Sequence, residues 1–254
     1  MKAALKSTGL DALILPAHGG LQEVADIRWA TGYAQAASAV VIFQDAPPEV
    51  IAMNGLESLW VNKTSWVRSF YDQTPPVDRV LKRLAIKGAA LSVGTFSGVS
   101  LPADWEAALV AKYTSVQRVE NFIRGHRSVK SGEEILLIQE SARIADFAME
   151  SALRKLRTGV RQQLLRAECE YAVLSAGAES TNGSFTIYPG TLRGQRAAPY
   201  LLDQEVRSGD VGMLEVTPNC GGYYSQFASM VLFGNCDEQY RRMYEVSTRA
   251  RKAA

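Results

Sequence analysis

The first third of the chain carries short apolar runs broken by turn residues. Leu10 to Leu15 is closed by Pro16, Ala39 to Phe43 (AVVIF) by Asp45 to Pro48 (DAPP), and Val50 to Met53 follows that turn. Apolar runs this short, bounded by Pro and Asp, predict buried strands, the second and third paired through the turn. Thr64 to Tyr71 alternates Trp66, Arg68 and Phe70 and predicts another strand; Ala89 to Val93 (AALSV), closed by Gly94, predicts a fifth. Val77 to Leu84 and Pro102 to Lys112 have helical spacing instead. Strands alternating with helices predict an α/β layer domain.

The pattern then changes. Ser115 to Lys130 has mixed charge and no clean period, and reads as a connector. Ser131-Gly-Glu-Glu134 is a capping box: the serine can cap a free backbone N–H, and Glu134 can reach back to the N–H of the serine. Ile135, Ile138, Ala142, Ala145, Met149 and Leu153 recur behind it at helical spacing, and Gly159 supplies a stop. A second helix is predicted over about 161–176. Gly177, Gly183, Gly190 and Gly194 mark a turn-rich, irregular stretch. Val211 to Thr217 predicts a strand, 218–222 (PNCGG) a turn and Tyr223 to Phe233 a second strand. A last helix runs from near Asp237 to the end.

Composition narrows the function classes. With 254 residues, 47% hydrophobic and 21% charged, the chain is long enough for one large or two ordinary globular domains. A net charge of +2 and the lack of a dense Lys/Arg block argue against nucleic acid. No apolar stretch approaches the ~20 residues of a membrane helix. Cys169, Cys220 and Cys236 form neither a CxxC pattern nor a disulfide framework, so reduced thiols in a cytoplasm are expected. His18 and His126 are the two histidines, which restricts histidine chemistry in the second half.

Several stretches in order resemble the creatinase/prolidase/aminopeptidase P family, the M24 or pita-bread peptidases. They are LDALILP, DIRWATGY, and LSVG followed by LPADW; then RSVKSGEEI at Arg127 to Ile135; then SGDVGMLEVTPNCGGYYSQFASMVLFG at Ser208 to Gly234. The last follows the family hairpin "GD-h-h-h-h-D-x-G-x-x-x-x-G-Y-x-S-D-x-T-R-T-h-h-h-G". The resemblance implies an α/β (α+β) chain. An RNase H-like creatinase-type N-terminal domain would span 1–120, and an incomplete pita-bread domain, its N-terminal half only, 128–254.

The family places two metal-binding aspartates on this hairpin, at the positions of Glu215 and Gln226. A turn centred between Cys220 and Gly221 would set these two directly opposite, with Cβ atoms ~4.5–5.5 Å apart. Close paired carboxylates suit divalent cations, which need several anionic oxygens. Here Glu215 keeps the charge on a longer side chain, and Gln226 is neutral. The resemblance puts the other ligands, a His and two Glu, in a second half, and this sequence ends at Ala254. It also implies a substrate-binding histidine near Tyr200. Glu215 is therefore the candidate catalytic residue, with Gln226, Tyr200 and Tyr224 as candidate pocket residues. A Glu/Gln pair is equally an ordinary polar cross-strand pair, and Tyr223 and Tyr224 are equally packing residues. His18 reads as a loop residue, or as one that a family dimer brings to the partner pocket.

The family hydrolyses C–N bonds, mostly at Xaa-Pro peptides, with two divalent metals such as Mn, Co or Zn; its creatinase branch acts on a guanidino compound without metal. For this chain no cofactor is expected, with a metal-free and inactive hydrolase-like protein as the first reading. A non-catalytic pseudoenzyme acting as a binding or dimerisation module is the alternative. A homodimer is expected, and a small peptide or guanidino/amide substrate if the chain is active. A half pita-bread is also expected to expose apolar surface.

Overall fold

The structure, a computed structural model, describes all residues except 1, 18–20, 34–36, 89, 97–100, 120–121, 191–203 and 254. It divides into two compact units, Met1–Val129 and Lys130–Ala254.

The first unit is built on a six-stranded mixed sheet. In chain order its elements are α1 (Lys2–Ser7), β1 (Ala12–Pro16), α2 (Leu21–Thr31), β2 (Ala39–Phe43), β3 (Glu49–Ile51) and α3 (Gly55–Thr64). Then come β4 (Arg68–Phe70), α4 (Pro76–Ala85), β5 (Ser92–Phe96), α5 (Ala103–Lys112), β6 (Ser115–Val119) and α6 (Phe122–Ser128). The strand order is β4-β3-β2-β1-β5-β6. Pairing is antiparallel at β1/β2 and β2/β3, and parallel at β3/β4, β1/β5 and β5/β6. Every residue of β1 and β2 is buried, because successive side chains feed cores on opposite faces. Leu13, Leu15, Val40 and Ile42 join Ile27, Val61 and Ile123 on one side. Ala12, Ile14, Val41 and Phe43 join Val80, Leu84, Trp105 and Leu109 on the other.

Three expectations for this unit need correction. The stretch 115–130 is not a bare connector. β6 extends the sheet beside β5, and α6 buries Phe122 and Ile123. The strand expected from Thr64 is only the short edge strand β4, preceded by the helix α3. The fifth strand starts at Ser92, after Ala90 and Leu91; Ala89, where it was expected to begin, lies outside the described residues. Arg127, read from the sequence only as part of a motif, forms an ion pair with the buried Asp26 and so ties α6 to α2.

The second unit contains α7 (Gly132–Lys155), α8 (Gln162–Ser175), β7 (Ser180–Pro189), β8 (Asp210–Cys220), β9 (Tyr223–Tyr224), β10 (Phe227–Leu232) and α9 (Glu238–Ala253). The sheet order is β10-β8-β7, all antiparallel, with β9 on β8. β7 is a ten-residue strand where the sequence reads as turn-rich. The inner sheet face (Phe185, Ile187, Leu214, Val216, Val231) packs on Ile144, Ala148 and Met149 of α7 and Leu165, Cys169 and Val173 of α8. The strongly apolar side of this sheet is thus covered by its own helices, while Ile135, Leu136, Phe147 and Leu153 of α7 and Leu164 and Leu174 of α8 remain exposed on their outer sides.

The capping box forms as the sequence predicts. Ser131 Oγ accepts from Glu134 N at 3.2 Å, and Glu134 Oε2 accepts from Ser131 N at 2.6 Å. Replacing Ser131 by alanine is expected to cost about 1 kcal/mol, read as a lower denaturation midpoint for the second unit; an unchanged midpoint would show that the cap is dispensable.

Candidate functional site

The β8–β10 hairpin turns at Gly221-Gly222, with φ of +61° and +87°. A two-residue hairpin loop with both central residues at positive φ matches the right-handed strand twist, which is why glycines serve here. Cys220 therefore faces Tyr223, and Glu215 faces Ala228. The expected direct opposition of Glu215 and Gln226 is corrected to a diagonal one. The turn is centred one residue further along than expected, which shifts pairing by two positions and leaves both side chains on the same face. Diagonal neighbours lie within reach of long side chains, and Gln226 Nε2 donates to Glu215 Oε1.

That face is the open one. Met213, half-buried Glu215 and Thr217 of β8 lie between Asn182, Ser184 and Thr186 of β7 on one side and, on the other, Ala228 and Met230 of β10 with Gln226 just before it. Ser184 is directly across from Glu215, and Met213 from Met230. The sequence reading missed this row of hydroxyls, because β7 was not recognised as a strand.

α7 holds the hairpin from behind. Ser141, fully buried, donates to Pro218 O at 2.8 Å and accepts from Ser225 N at 2.8 Å. Tyr223 donates its hydroxyl to Glu134 Oε1 at 2.5 Å, linking the tip of the hairpin to the capped start of α7. Tyr224 also has a local role: its hydroxyl accepts from Asn219 Nδ2 at 3.1 Å, and Asn219 Oδ1 accepts from Gly222 N at 2.9 Å. Tyr200 and His18 lie outside the described residues. His126 belongs to the first unit, with Nδ1 2.8 Å from Phe122 O and its ring 5.1 Å from the Phe122 ring, a contact within one helix.

The site brings together one carboxylate, one amide and several hydroxyls. Among the described residues no group of three or more His, Cys, Asp and Glu is arranged to hold a metal ion. The two hairpin positions supply one carboxylate and one neutral amide, whereas a pair of divalent cations takes several anionic oxygens. Thiol nucleophiles are also disfavoured. Burial, with Glu170 nearby, pushes the Cys169 thiol up to about 12, and burial raises that of Cys220 as well. Among the described residues no helix is long and apolar enough to cross a membrane.

The chain thus combines a mixed sheet in one unit with a helix-backed antiparallel hairpin sheet, open on its polar face, in the other. Residues 137–254 match metallopeptidase family M24. The uncharacterized peptidase YqhT of Bacillus subtilis is 28% identical over 166 residues, covering 65% of this chain and 44% of that protein. A Xaa-Pro dipeptidase of Pyrococcus furiosus is 26% identical over 140 residues, covering 54% and 39%. The crystal structure of a prolidase from Pyrococcus horikoshii superimposes with a TM-score of 0.79 at 21% identity, covering 99% of this chain and 69% of that one. Residues 137–254 thus carry the similarity to metallopeptidase family M24, and the relatives that match in sequence include Xaa-Pro dipeptidases and a creatinase. The chain's matches span less than half the length of YqhT and of the Pyrococcus furiosus dipeptidase.

Proposed function

We propose that this chain is an M24-type hydrolase-like protein whose hairpin does not assemble a dinuclear metal centre and which does not cleave Xaa-Pro dipeptides. In this reading its first unit is an RNase H-like creatinase-type domain, and its second the N-terminal half of a pita-bread domain. The observation that carries the proposal is the hydrogen bond from the Gln226 amide to the Glu215 carboxylate. A neutral amide carries no charge to offset a cation, so the pair offers one anionic side chain where a dinuclear centre needs several. Any ligand on this face is held by hydrogen bonds to Glu215, Gln226 and the hydroxyls of Ser184 and Thr186 beside the Met213/Met230 pair. A small amide, peptide or guanidino compound has the matching donors.

The test combines metal and turnover. Elemental analysis after dialysis is expected to find no tightly held Mn, Co or Zn, and added Mn to leave the melting temperature unchanged. Gln226→Asp places two carboxylates side by side, so that variant alone is expected to be stabilised by Mn. Hydrolysis of a Gly-Pro dipeptide and of creatine is expected to match that of a Glu215→Ala control. Two retained metal ions per chain, or turnover abolished by Glu215→Ala, would refute the proposal.

A further inference from the structure

We propose that Ser141 of α7 is a positioning residue of the hairpin site. Its hydroxyl stands in for one rung of the hairpin ladder, and so turns Gln226 toward Glu215 and away from Thr217. The inference rests on the reading of the Glu215/Gln226 face as the one that holds a ligand.

The registers of β8 with β9 and of β8 with β10 are continuous, so Pro218 stands opposite Ser225 and Thr217 opposite Gln226. Gln162 takes the backbone groups of Phe185 and Ile187 on the edge away from β8. Residues of an antiparallel ladder bond to alternate sides. Ser184 therefore bonds to Glu215, while Val216 and Pro218 turn their backbone groups toward β9 and β10. Two cross-strand bonds are thus due between Pro218 and Ser225. One cannot form, because Pro218 has no N–H. The other is not made directly: Ser225 N donates to Ser141 Oγ at 2.8 Å, and Ser141 Oγ donates to Pro218 O at 2.8 Å. The Ser225 hydroxyl lies 2.9 Å from the same oxygen. Regular pairing stops here as well, since β9 ends at Tyr224 and β10 begins at Phe227.

The inserted hydroxyl is held in place. Ser141 is fully buried, where a hydroxyl needs partners. Ile144 and Ala145, on the next turn of α7, lie in the core. One turn earlier Leu137 packs on the turn itself, so closely that a Cβ at Gly221 would come within 2.9 Å of it. The consequence falls on the neighbouring pair. Thr217 and Gln226 are not joined by backbone bonds, and side chains of such pairs are ordinarily the closest across a ladder. Two bonds in series through Ser141 span more than the ~2.9 Å of one direct bond, which spreads the strands beside this pair. Gln226 passes Thr217 and donates to the diagonal Glu215 instead. The Thr217 hydroxyl makes no hydrogen bond to a described residue, so it is open to a ligand beside the carboxylate.

The side-chain amide protons of Gln226, followed by NMR on the isotope-labelled intact chain, test the proposal. In the wild type the bonded proton is expected to be shifted downfield, and Glu215→Ala to abolish that shift. Ser141→Ala is expected to remove at least about half of it, because the bond is no longer well aimed. The same variant is expected to speed exchange of the Ser225 backbone amide ~10-fold, the factor for losing about one hydrogen bond. Ala148→Gly weakens the same helix without touching the rung, and is expected to leave the Gln226 shift unchanged. So is Ser225→Ala, which keeps both bonds to Ser141. A shift that survives Ser141→Ala, or one lost equally in Ala148→Gly, would overturn the assignment and leave the metal and turnover results standing. A wild type without the shift would remove the Glu215–Gln226 bond, and the functional reading with it.

Discussion

Replacing Gln162 by methionine is expected to lower the melting temperature of the second unit by on the order of 10 °C. Gln162 is 2% exposed, and its side chain behaves like a segment of strand. Its Nε2 donates to Phe185 O, and its Oε1 accepts from Ile187 N at 2.9 Å. These two backbone groups lie on the edge of β7 away from β8, where an edge strand otherwise presents unpaired donors and acceptors. Methionine keeps the length and volume of glutamine, so packing changes little. What is lost is the partner of one buried donor and one buried acceptor, at about 1–3 kcal/mol each. Against a total stability of about 5–15 kcal/mol that is a large fraction. Thermal melts followed by circular dichroism give the magnitude, and hydrogen exchange at the Ile187 amide gives the location. A shift below 2 °C, or unchanged protection of Ile187, would show that the edge is closed by other means.

Asp26→Ala is expected to destabilise the first unit by about 3 kcal/mol, at the lower end for a broken buried ion pair. The Asp26 side chain is 5% exposed, and that of its partner Arg127 is 29% exposed. The pair links α2 to α6, the last helix before the second unit begins. Removing the carboxylate takes this ion pair away from the guanidinium, and Arg127 keeps some access to water, which limits the loss. Arg127→Met removes a cation from the more deeply buried Asp26 and is expected to cost at least as much. The double variant is expected to be more stable than the two losses added together would allow, because either single substitution already removes their shared ion pair. Equilibrium denaturation of the four proteins closes this cycle; additive losses would show that the two residues act independently.

These residues mark where reading along the chain runs out. Gln162 stands at a predicted helix start and gives no local sign of its task, since its partners lie on a strand 23 and 25 positions away. β7 is obscured by its own composition. Ser180, Thr181, Asn182 and Gly183 are turn formers in isolation, yet pairing with β8 from Ser180 to Pro189 satisfies their backbone, and Phe185 and Ile187 anchor the strand in the core. Strand propensity depends on such context more than helix propensity does. α3 was missed for a related reason: its Leu56, Leu59 and Trp60 face water, so the usual inward stripe could not guide its placement.

The local signals were legible from the sequence alone. The apolar runs of β1 and β2 are complete because both faces of their sheet are covered, and a run of that kind has few other uses. The box at Ser131 and Glu134 is a contact between residues three apart, so the chain encodes it without help. The replacement of two expected aspartates by Glu215 and Gln226 is a matter of residue identity, and it bears most directly on function. Tertiary structure decided how those residues meet. The two-glycine turn set a diagonal register, which let the Gln226 amide reach the Glu215 carboxylate while Ala228 took the place opposite. It also decided which surfaces remain open: the hydroxyl-lined face of the second sheet and the outward stripe of α3. Register and exposure depend on pairing between distant segments, and the order of residues along the chain constrains that pairing only weakly.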